Sequence, residues 1–332
     1  MVHGLWRETF GNISEQRFNW LYRDSLGSGG QCWLATTESG IPVGTVGLVY
    51  RDIRISSEVV RCAQAVDLVV DRGHRTGAAA VKLLRHLVAE ADSAGCRLIY
   101  TFPLHQARPV ALRIGFKPLS TLTRWAMPLS SRYKLQSRLP AALSALFAPI
   151  FDVGLRALSG DFLFRLPNNY RTTTLSEFDE RFDELWRDAP TRAQHVGDRQ
   201  AGYLQWRFRK IPSDGYQIFG LLDLQGNLRA YIVYRKTGQQ VSISDFLFDD
   251  LETLQLSFRA LAKQMRNEGM AALSMQCLLP DFVAAALRRV GFFQRLEEAQ
   301  VLIYRSPRLN REALDSTPEN SDWFLTEADR DV

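Results

Sequence analysis

The sequence predicts an α+β fold built as two tandem units. Each unit is a mixed, mostly antiparallel sheet with helices packed on it, in a three-layer α/β/α-type arrangement. Three observations lead to this. The chain has 332 residues, enough for two domains of about 150 residues each. It carries an internal repeat. Both halves also present the same order of strand-like and helix-like segments.

The repeat is read residue by residue. Trp20 aligns with Trp206, Tyr22 with Phe208, Arg23 with Arg209, Gln31 with Gln217 and Gly40 with Gly226, all at an offset of 186. Further on, Val49-Tyr-Arg51 matches Val233-Tyr-Arg235 at 184, Asp67 matches Asp245 at 178, and Gly115-Phe116 matches Gly291-Phe292 at 176. A steadily shrinking offset is what short loop deletions in one copy of a duplicated unit leave behind.

The elements follow in order. Each unit starts with a short aromatic helical segment, around Trp20 or Trp206. A hairpin comes next, 31–39 with 42–55 and 216–224 with 228–236, turned by Ser39-Gly40 and Gln225-Gly226. A strand follows at 59–70 or 241–248. The helix after it is amphipathic, with Ala80, Leu84, Leu87, Val88 and Ala91, or Leu251, Leu254, Phe258, Leu261 and Met265, at helical spacing. Gly95 and Gly269 stop those helices. A strand at 96–103 or 270–279, a short helix ending in Gly-Phe, and a last strand at 119–129 or 293–304 complete each unit.

Composition excludes several function classes. The chain is 46% hydrophobic and 23% charged, normal for a globular protein, with a formal net charge of +5. That excess is too small and too scattered to point to nucleic acid, and only six of the 41 basic residues are Lys. Cys32, Cys62, Cys96 and Cys277 stand apart, which fits a reducing compartment and argues against a zinc knuckle. The five histidines lack metal-ligand spacing, so no metal is expected. Gly-Lys, GxSxG and HExxH are absent. The opening residues, MVHGLWRETFGN, lack the pattern of a signal peptide, and a cytoplasmic location is expected.

One passage carries a binding chemistry. Leu68-Val-Val-Asp-Arg-Gly-His-Arg75-Thr-Gly-Ala-Ala-Ala80 leads from a strand into a helix. Small residues at a helix start let oxygens approach unpaired N–H groups in a field of partial positive charge. Arg72, His74 and Arg75 add basic groups around the same turn. This is what a pyrophosphate requires. In the second half the same place holds Asp249, Asp250 and Glu252, which satisfy the helix's own donors and repel a phosphate.

This passage resembles the pantetheine strand and the R-x-x-G-x-G/A loop of the GNAT superfamily of acyl-CoA N-acyltransferases, with Arg75, Ala78 and Ala80 at the three named positions. Arg113-Ile-Gly-Phe116 resembles the family's helix before its last strand. With the order of elements, the two halves are similar to a tandem GNAT-like group found near bacterial surface-polysaccharide genes. Trp20 with Tyr22, Tyr203-Leu-Gln-Trp-Arg-Phe208, and Trp323-Phe-Leu-Thr-Glu-Ala-Asp329-Arg-Asp331 are its marks here. The resemblance implies acetyl-CoA, or another acyl-CoA, bound by Leu68, Val70, Arg75, Thr76, Gly77, Ala78, Ala79 and Ala80. It also implies a Tyr acid four residues before the Gly of Gly-Phe, but Ala111 stands there. The catalytic candidates are therefore Asp67, as a base or as a strand-edge carboxylate bonded to an Arg, and Tyr100 and His105, which flank the end of the next strand. Arg207, which has Leu21 as its counterpart, is the candidate for acceptor binding.

The expected division is 1–130 as a GNAT-like unit with the CoA-type loop, 131–160 as a helical connector, 161–306 as a second, degenerate unit, and 307–332 as a tail. Residues 139–158 have the length of a membrane span, but Pro149, Asp152 and Arg156 interrupt them. They read as a connector packed between domains or, with Arg132, Lys134 and Arg138, as a peripheral membrane contact across 132–158. The tail is polar until Trp323-Phe-Leu325, which is expected to dock near the first unit; a free tail is the other reading. The expected function is N-acyl transfer, acetyl transfer by default, to a small amine or an amino sugar. Two alternatives stand: a non-catalytic acyl-CoA- or glycan-binding protein, and an aminoacyl transferase of related tandem fold.

Overall fold

The computed structural model describes residues 5–6, 15–24, 29–55, 58–75, 78–130, 164–189, 195–213, 215–295, 299–307 and 323–330. Thr76, Gly77 and the 131–160 connector lie outside the described residues. The first half opens with α1 (Glu15–Phe18), which runs into a π-helical turn (Asn19–Arg23). There follow β1 (Gly30–Thr36), β2 (Pro42–Ile55), β3 (Glu58–Val70), α2 (Ala79–Ser93), β4 (Leu98–Thr101), α3 (Arg108–Ile114), β5 (Lys117–Thr121) and β6 (Thr123–Pro128). The second half begins with β7 (Tyr170–Leu175), α4 (Glu180–Asp188), β8 (His195–Gly197) and α5 (Ala201–Arg209). It continues through β9 (Gln217–Asp223), β10 (Leu228–Thr237), β11 (Gln240–Phe248), α6 (Leu251–Asn267) and β12 (Ala272–Cys277). It ends with α7 (Asp281–Val290), β13 (Phe293–Arg295), β14 (Gln300–Arg305) and β15 (Trp323–Phe324). The α+β class is as the repeat predicts. Among the described residues no helix is long and apolar enough to cross a membrane.

Two mixed sheets form. One runs β15-β8-β2-β3-β4-β14-β5, with β1 also on β2; the other runs β13-β6-β12-β11-β10-β9-β7. Each has a parallel pair joined through the amphipathic helix, β3 with β4 and β11 with β12, and the first sheet has β15 parallel to β8 as well. Long crossovers make such pairs, while the hairpins stay antiparallel. The helices bury the apolar stripes read from the sequence. Leu84, Leu87, Val88 and Ala91 of α2 are buried, as are Leu254, Phe258, Leu261 and Met265 of α6.

The last strands depart from the expectation. Residues 119–129 and 293–304 were expected each to close its own unit as a single strand. Instead each segment breaks in two, and the second piece crosses to the other sheet. β6 inserts between β12 and β13, and β14 inserts between β4 and β5. At the crossover Leu122 is buried and its N–H bonds to the Ala299 carbonyl at 2.7 Å. Trp125 and Met127 of β6 then enter the large apolar core shared with the second half. Alternating patterning suits a strand in either sheet, so the exchange has no sequence signature.

The repeat meets itself at the junction. Trp20 and Trp206 stack with ring centroids 4.7 Å apart. The indole of Trp20 donates to the Trp206 carbonyl at 3.0 Å, and the indole of Trp206 donates to the Trp20 carbonyl at 3.1 Å.

The tail docks through Trp323, Phe324 and Leu325, each no more than 2% exposed. It meets both halves rather than the first alone. β15 pairs with β8 of the second half, and Leu325 exchanges two backbone bonds with Leu278 at 2.8 and 2.9 Å. A capping box between Thr326 and Asp329 then turns the chain. Asp329 receives a two-pronged ion pair from Arg199 at 3.0 and 2.7 Å, and Arg199 also bonds to Asp245 at 3.0 Å. A Cβ on Gly197 would stand 2.1 Å from Asp329, so only glycine lets the carboxylate in. Burial opposes the charge of Arg199, but Asp245 and Asp329 outweigh it and push its pKa further up.

Because each sheet is completed by a strand of the other half, the halves should unfold together. Differential scanning calorimetry is expected to show one transition with matching calorimetric and van't Hoff enthalpies, and two separable peaks would contradict the coupling. Arg199→Ala would leave two buried carboxylates unmatched and is expected to destabilise the fold by about 3–5 kcal/mol in a urea titration.

Candidate functional site

The candidate site forms where β3 and β4 part. Their parallel register covers Cys62–Gln64 against Leu98–Tyr100. Beyond it the Thr101 hydroxyl donates to the Ala65 carbonyl at 2.9 Å, and a cavity of about 390 Å³ opens. A crevice at the carboxyl ends of diverging parallel strands is a natural place for a ligand. Val46, Ala65, Val66, Leu84, Ala111 and Phe116 form its apolar wall. Arg17, Asp67, Thr101 and Arg330 supply its polar groups.

A β-bulge aims β3 at this cavity. Thr45 pairs with Val69 and Gly47 with Val66, so Asp67 and Leu68 together stand opposite Val46. The extra residue bends the strand and frees backbone groups from the ladder. Asp67 pays for the bend with φ = +51°, the one positive φ of a non-glycine residue among those described. Strain of this kind persists only where the surroundings enforce it. Here the enforcement is visible. The Tyr22 hydroxyl donates to Asp67 at 2.6 Å, Arg17 reaches both carboxylate oxygens at 3.1 and 3.2 Å, and the Thr45 hydroxyl donates to the Asp67 carbonyl at 3.0 Å. Gly47 makes the room, since a Cβ there would lie 2.0 Å from the Tyr22 oxygen. Burial first, and the Asp67 charge second, push the Tyr22 pKa well up. The same two causes push the Cys32 thiol up to about 12.

Beside the cavity, β3 passes into α2. Asp71 organises the turn by accepting from the Gly73 N–H and from His74 Nδ1, each at 2.9 Å. The Arg75 side chain donates back to the Val70 carbonyl at 3.2 Å. Ala78 caps α2 without any side-chain bond, and the first turn carries no acid. The corresponding helix α6 is closed by its own capping box, Asp250 with Thr253. The bare helix start is thus a property of the first half.

The two halves diverge in the crevice as well. Asp245 copies Asp67: it sits beside the register break of β10 and β11, accepts the Tyr231 hydroxyl at 2.7 Å and pairs with Arg199. Yet the tail fills the space before it. The Thr326 hydroxyl donates to Asp245 at 2.6 Å, Leu325 pairs with Leu278, and Phe324 packs edge-on against Phe246 with centroids 5.1 Å apart.

Among the residues singled out from the sequence, Asp67 and Leu68 line the cavity. Val70, Arg75, Ala78, Ala79 and Ala80 form the adjoining strand-to-helix turn, in which Thr76 and Gly77 lie outside the described residues. The structure does not bring the other three to the cavity. Tyr100 is 1% exposed, and its hydroxyl is spent on the Asp329 carbonyl at 3.1 Å. Burial pushes its pKa well up. His105 is exposed in the turn after β4, while Leu104 and Ala107 of the same segment line the cavity. Arg207, expected to meet the acceptor, is fully buried under the tail. It donates to the Glu327 carbonyl at 2.7 Å, and its guanidinium lies 5.7 Å from the Trp20 ring centroid. Sequence reasoning missed Arg17, Thr101 and Arg330 at the cavity. Arg330 comes from the far end of the chain, and no local pattern marks it.

Comparison with known proteins bears on the fold. No curated protein matches the sequence. Among solved structures the chain is similar to a GCN5-related N-acetyltransferase from Anabaena variabilis, with TM-score 0.65 and 11% identity over 91% of this chain and 69% of that one. It is similar to a probable N-acyltransferase from Enterococcus faecalis, with TM-score 0.64 and 12% identity over 92% and 69%. It is also similar to the N-myristoyltransferase of Saccharomyces cerevisiae with bound myristoyl-CoA, with TM-score 0.53 and 12% identity over 92% and 75%. At these identities the likeness is one of fold. The chain therefore has the fold of the GCN5-related N-acetyltransferases over nine-tenths of its length, and its residues 1–116 match the model of the acetyltransferase (GNAT) family.

Proposed function

We propose that the protein is an acyl-CoA-dependent N-acyltransferase whose donor, acetyl-CoA or another acyl-CoA, binds in the first half only. One observation carries this reading: an open, mostly apolar cavity adjoins an uncapped helix start in the first half, and both features are closed in the second. The residues present suit the donor. The bulged backbone at Asp67 and Leu68 suits the amides of a pantetheine arm, and the uncapped start of α2 with Arg75 suits a pyrophosphate. The acceptor is a small amine, an amino sugar of surface-polysaccharide synthesis by the resemblance.

In the transfer, the amine nitrogen attacks the thioester carbonyl, the C–N bond forms and the C–S bond breaks. The amine gives up a proton, and the departing thiolate gains one. Asp67 is the carboxylate at the cavity and the candidate to hold the ammonium or accept its proton. A second reading, an acyl-CoA-binding protein without catalysis, is favoured by Ala111, which lines the cavity where the resemblance implies a Tyr. Mass spectrometry of amines incubated with the protein and acetyl-CoA separates the two, since only the enzyme yields an N-acyl product.

Two variants test the assignment. Ala78→Asp copies the cap of the second half, so it should hold or raise the melting temperature. It should also weaken CoA binding by about tenfold or more through repulsion of the pyrophosphate. Calorimetry should count one CoA per chain in the native protein, and two equivalent sites would refute the reading. Asp67→Asn is expected to lower kcat by about 10²-fold with CoA affinity little changed. Retained turnover per folded molecule, with a lower melting temperature, would instead make Asp67 a strut of the bulge.

A further inference from the structure

The cavity beside Asp67 differs in character on the two faces of the first sheet. Ala65 and Val66 are neighbours on β3, so their side chains leave it on opposite faces. Val66 packs with Trp6, Tyr22 and Val49. That is the face of the Asp67–Arg17 ion pair, since Tyr22 donates to Asp67 and Arg17 lies over the Trp6 ring. Ala65 packs on the other face with Val46, Leu84, Ala111 and Phe116, in the core beneath α2 and α3. All five of these line the cavity. It thus reaches past the strand edge into an apolar interior, and its apolar lining runs outward again to Leu104, which is exposed.

The polar groups beside this recess are already bonded. The Thr101 hydroxyl is spent on the Ala65 carbonyl, and the Ala111 and Phe116 N–H groups donate to the Ala107 and Ala111 carbonyls at 3.1 Å each. The amides and hydroxyl of a pantetheine arm would leave their hydrogen bonds to water there without replacement, so the arm stays at the bulged strand. A hydrocarbon has no such bonds to lose. A cavity of about 150 Å³ lined by aliphatic and aromatic side chains stays dry and takes up benzene; this one is about 390 Å³. An acetyl group ends in a single methyl and would leave most of the wall without contacts.

The second half shows how the recess arises. Gly115-Phe116 matches Gly291-Phe292, so Ala107 and Ala111 correspond to Val283 and Leu287. Both of those are fully buried. Branched side chains fill in one copy the places that two alanines leave short in the other.

We propose that the recess takes the hydrocarbon chain of the acyl group, and that the preferred donor is an acyl-CoA with a chain well beyond acetyl. This rests on the acyl-CoA reading for the thioester, but the chain site can be read without the nucleotide. The probes are acetyl-, butanoyl- and octanoyl-CoA, and the truncated thioesters S-acetyl- and S-octanoyl-N-acetylcysteamine, offered to the full-length protein in a calorimeter.

Octanoyl-CoA is expected to bind about tenfold or more tighter than acetyl-CoA, with butanoyl-CoA between them. Ala111→Leu copies the second half and fills the recess. It should hold or raise the melting temperature and bring the octanoyl-to-acetyl ratio down to about threefold or less. Equal affinity across the three esters, or a preference that survives Ala111→Leu in a folded protein, would overturn the proposal and leave the acyl-CoA reading standing. If no CoA ester binds, but S-octanoyl-N-acetylcysteamine binds more tightly than its acetyl counterpart and loses that advantage in Ala111→Leu, the chain site stands and the acyl-CoA reading falls. Binding of none of the five probes would overturn both.

Discussion

A guanidinium sealed away from water must find its counter-charges inside the protein, and Arg199 finds one in each of two distant segments. Asp245 belongs to β11 and Asp329 to the tail. Breaking either contact strands a buried charge, so the tail cannot leave cheaply. From this constraint the rest follows in sequence. The tail lies in the second crevice, the hydroxyls of Tyr100 and Tyr203 are consumed by its carbonyls, and Arg207 is covered. The same segment ends at the first cavity, where Arg330 joins its lining.

The two halves therefore share a local plan. Each has a bulge, an aspartate at the bulge, a tyrosine hydroxyl on that aspartate and an arginine paired with it. The contrast lies in what each bulge faces. Asp67 faces an open cavity and takes up a left-handed backbone conformation; Asp245 faces the tail and does not. The helix starts diverge in the same sense, bare at Ala78 and boxed at Asp250. A cavity stands open before the bulge of one copy, and in the other the same geometry serves as a socket for the chain itself.

Much of this was legible in the sequence because local chemistry wrote it there. The paired glycines at Gly115 and Gly291 end their helices in the same left-handed conformation, as the Gly-Phe motif implies. The acids at 249–252 announced a self-capped helix. Asp67 stood out by its place before the basic loop and by its partner Asp245. What stayed hidden depends on contacts between distant segments. The exchange of β6 and β14 leaves each strand's alternation unchanged. Tyr100 and Arg207 looked available because the sequence does not show what covers them. Arg17 and Arg330 look like ordinary surface charges until the fold brings them to one cavity.

The exchange of strands also sets an order on folding. During synthesis the chain emerges from its N-terminus, at about 5–20 residues per second. β4 and β5 are made early, but the strand that belongs between them is β14, near the end of the chain. Until β14 is made, the first sheet holds a gap with two unpaired strand edges, which are surfaces prone to pairing with other chains. Closing it requires contacts of very long sequence separation, which slow folding by their loop-closure entropy. The cavity of the first half is therefore complete only once the segment that carries Arg330 has been made.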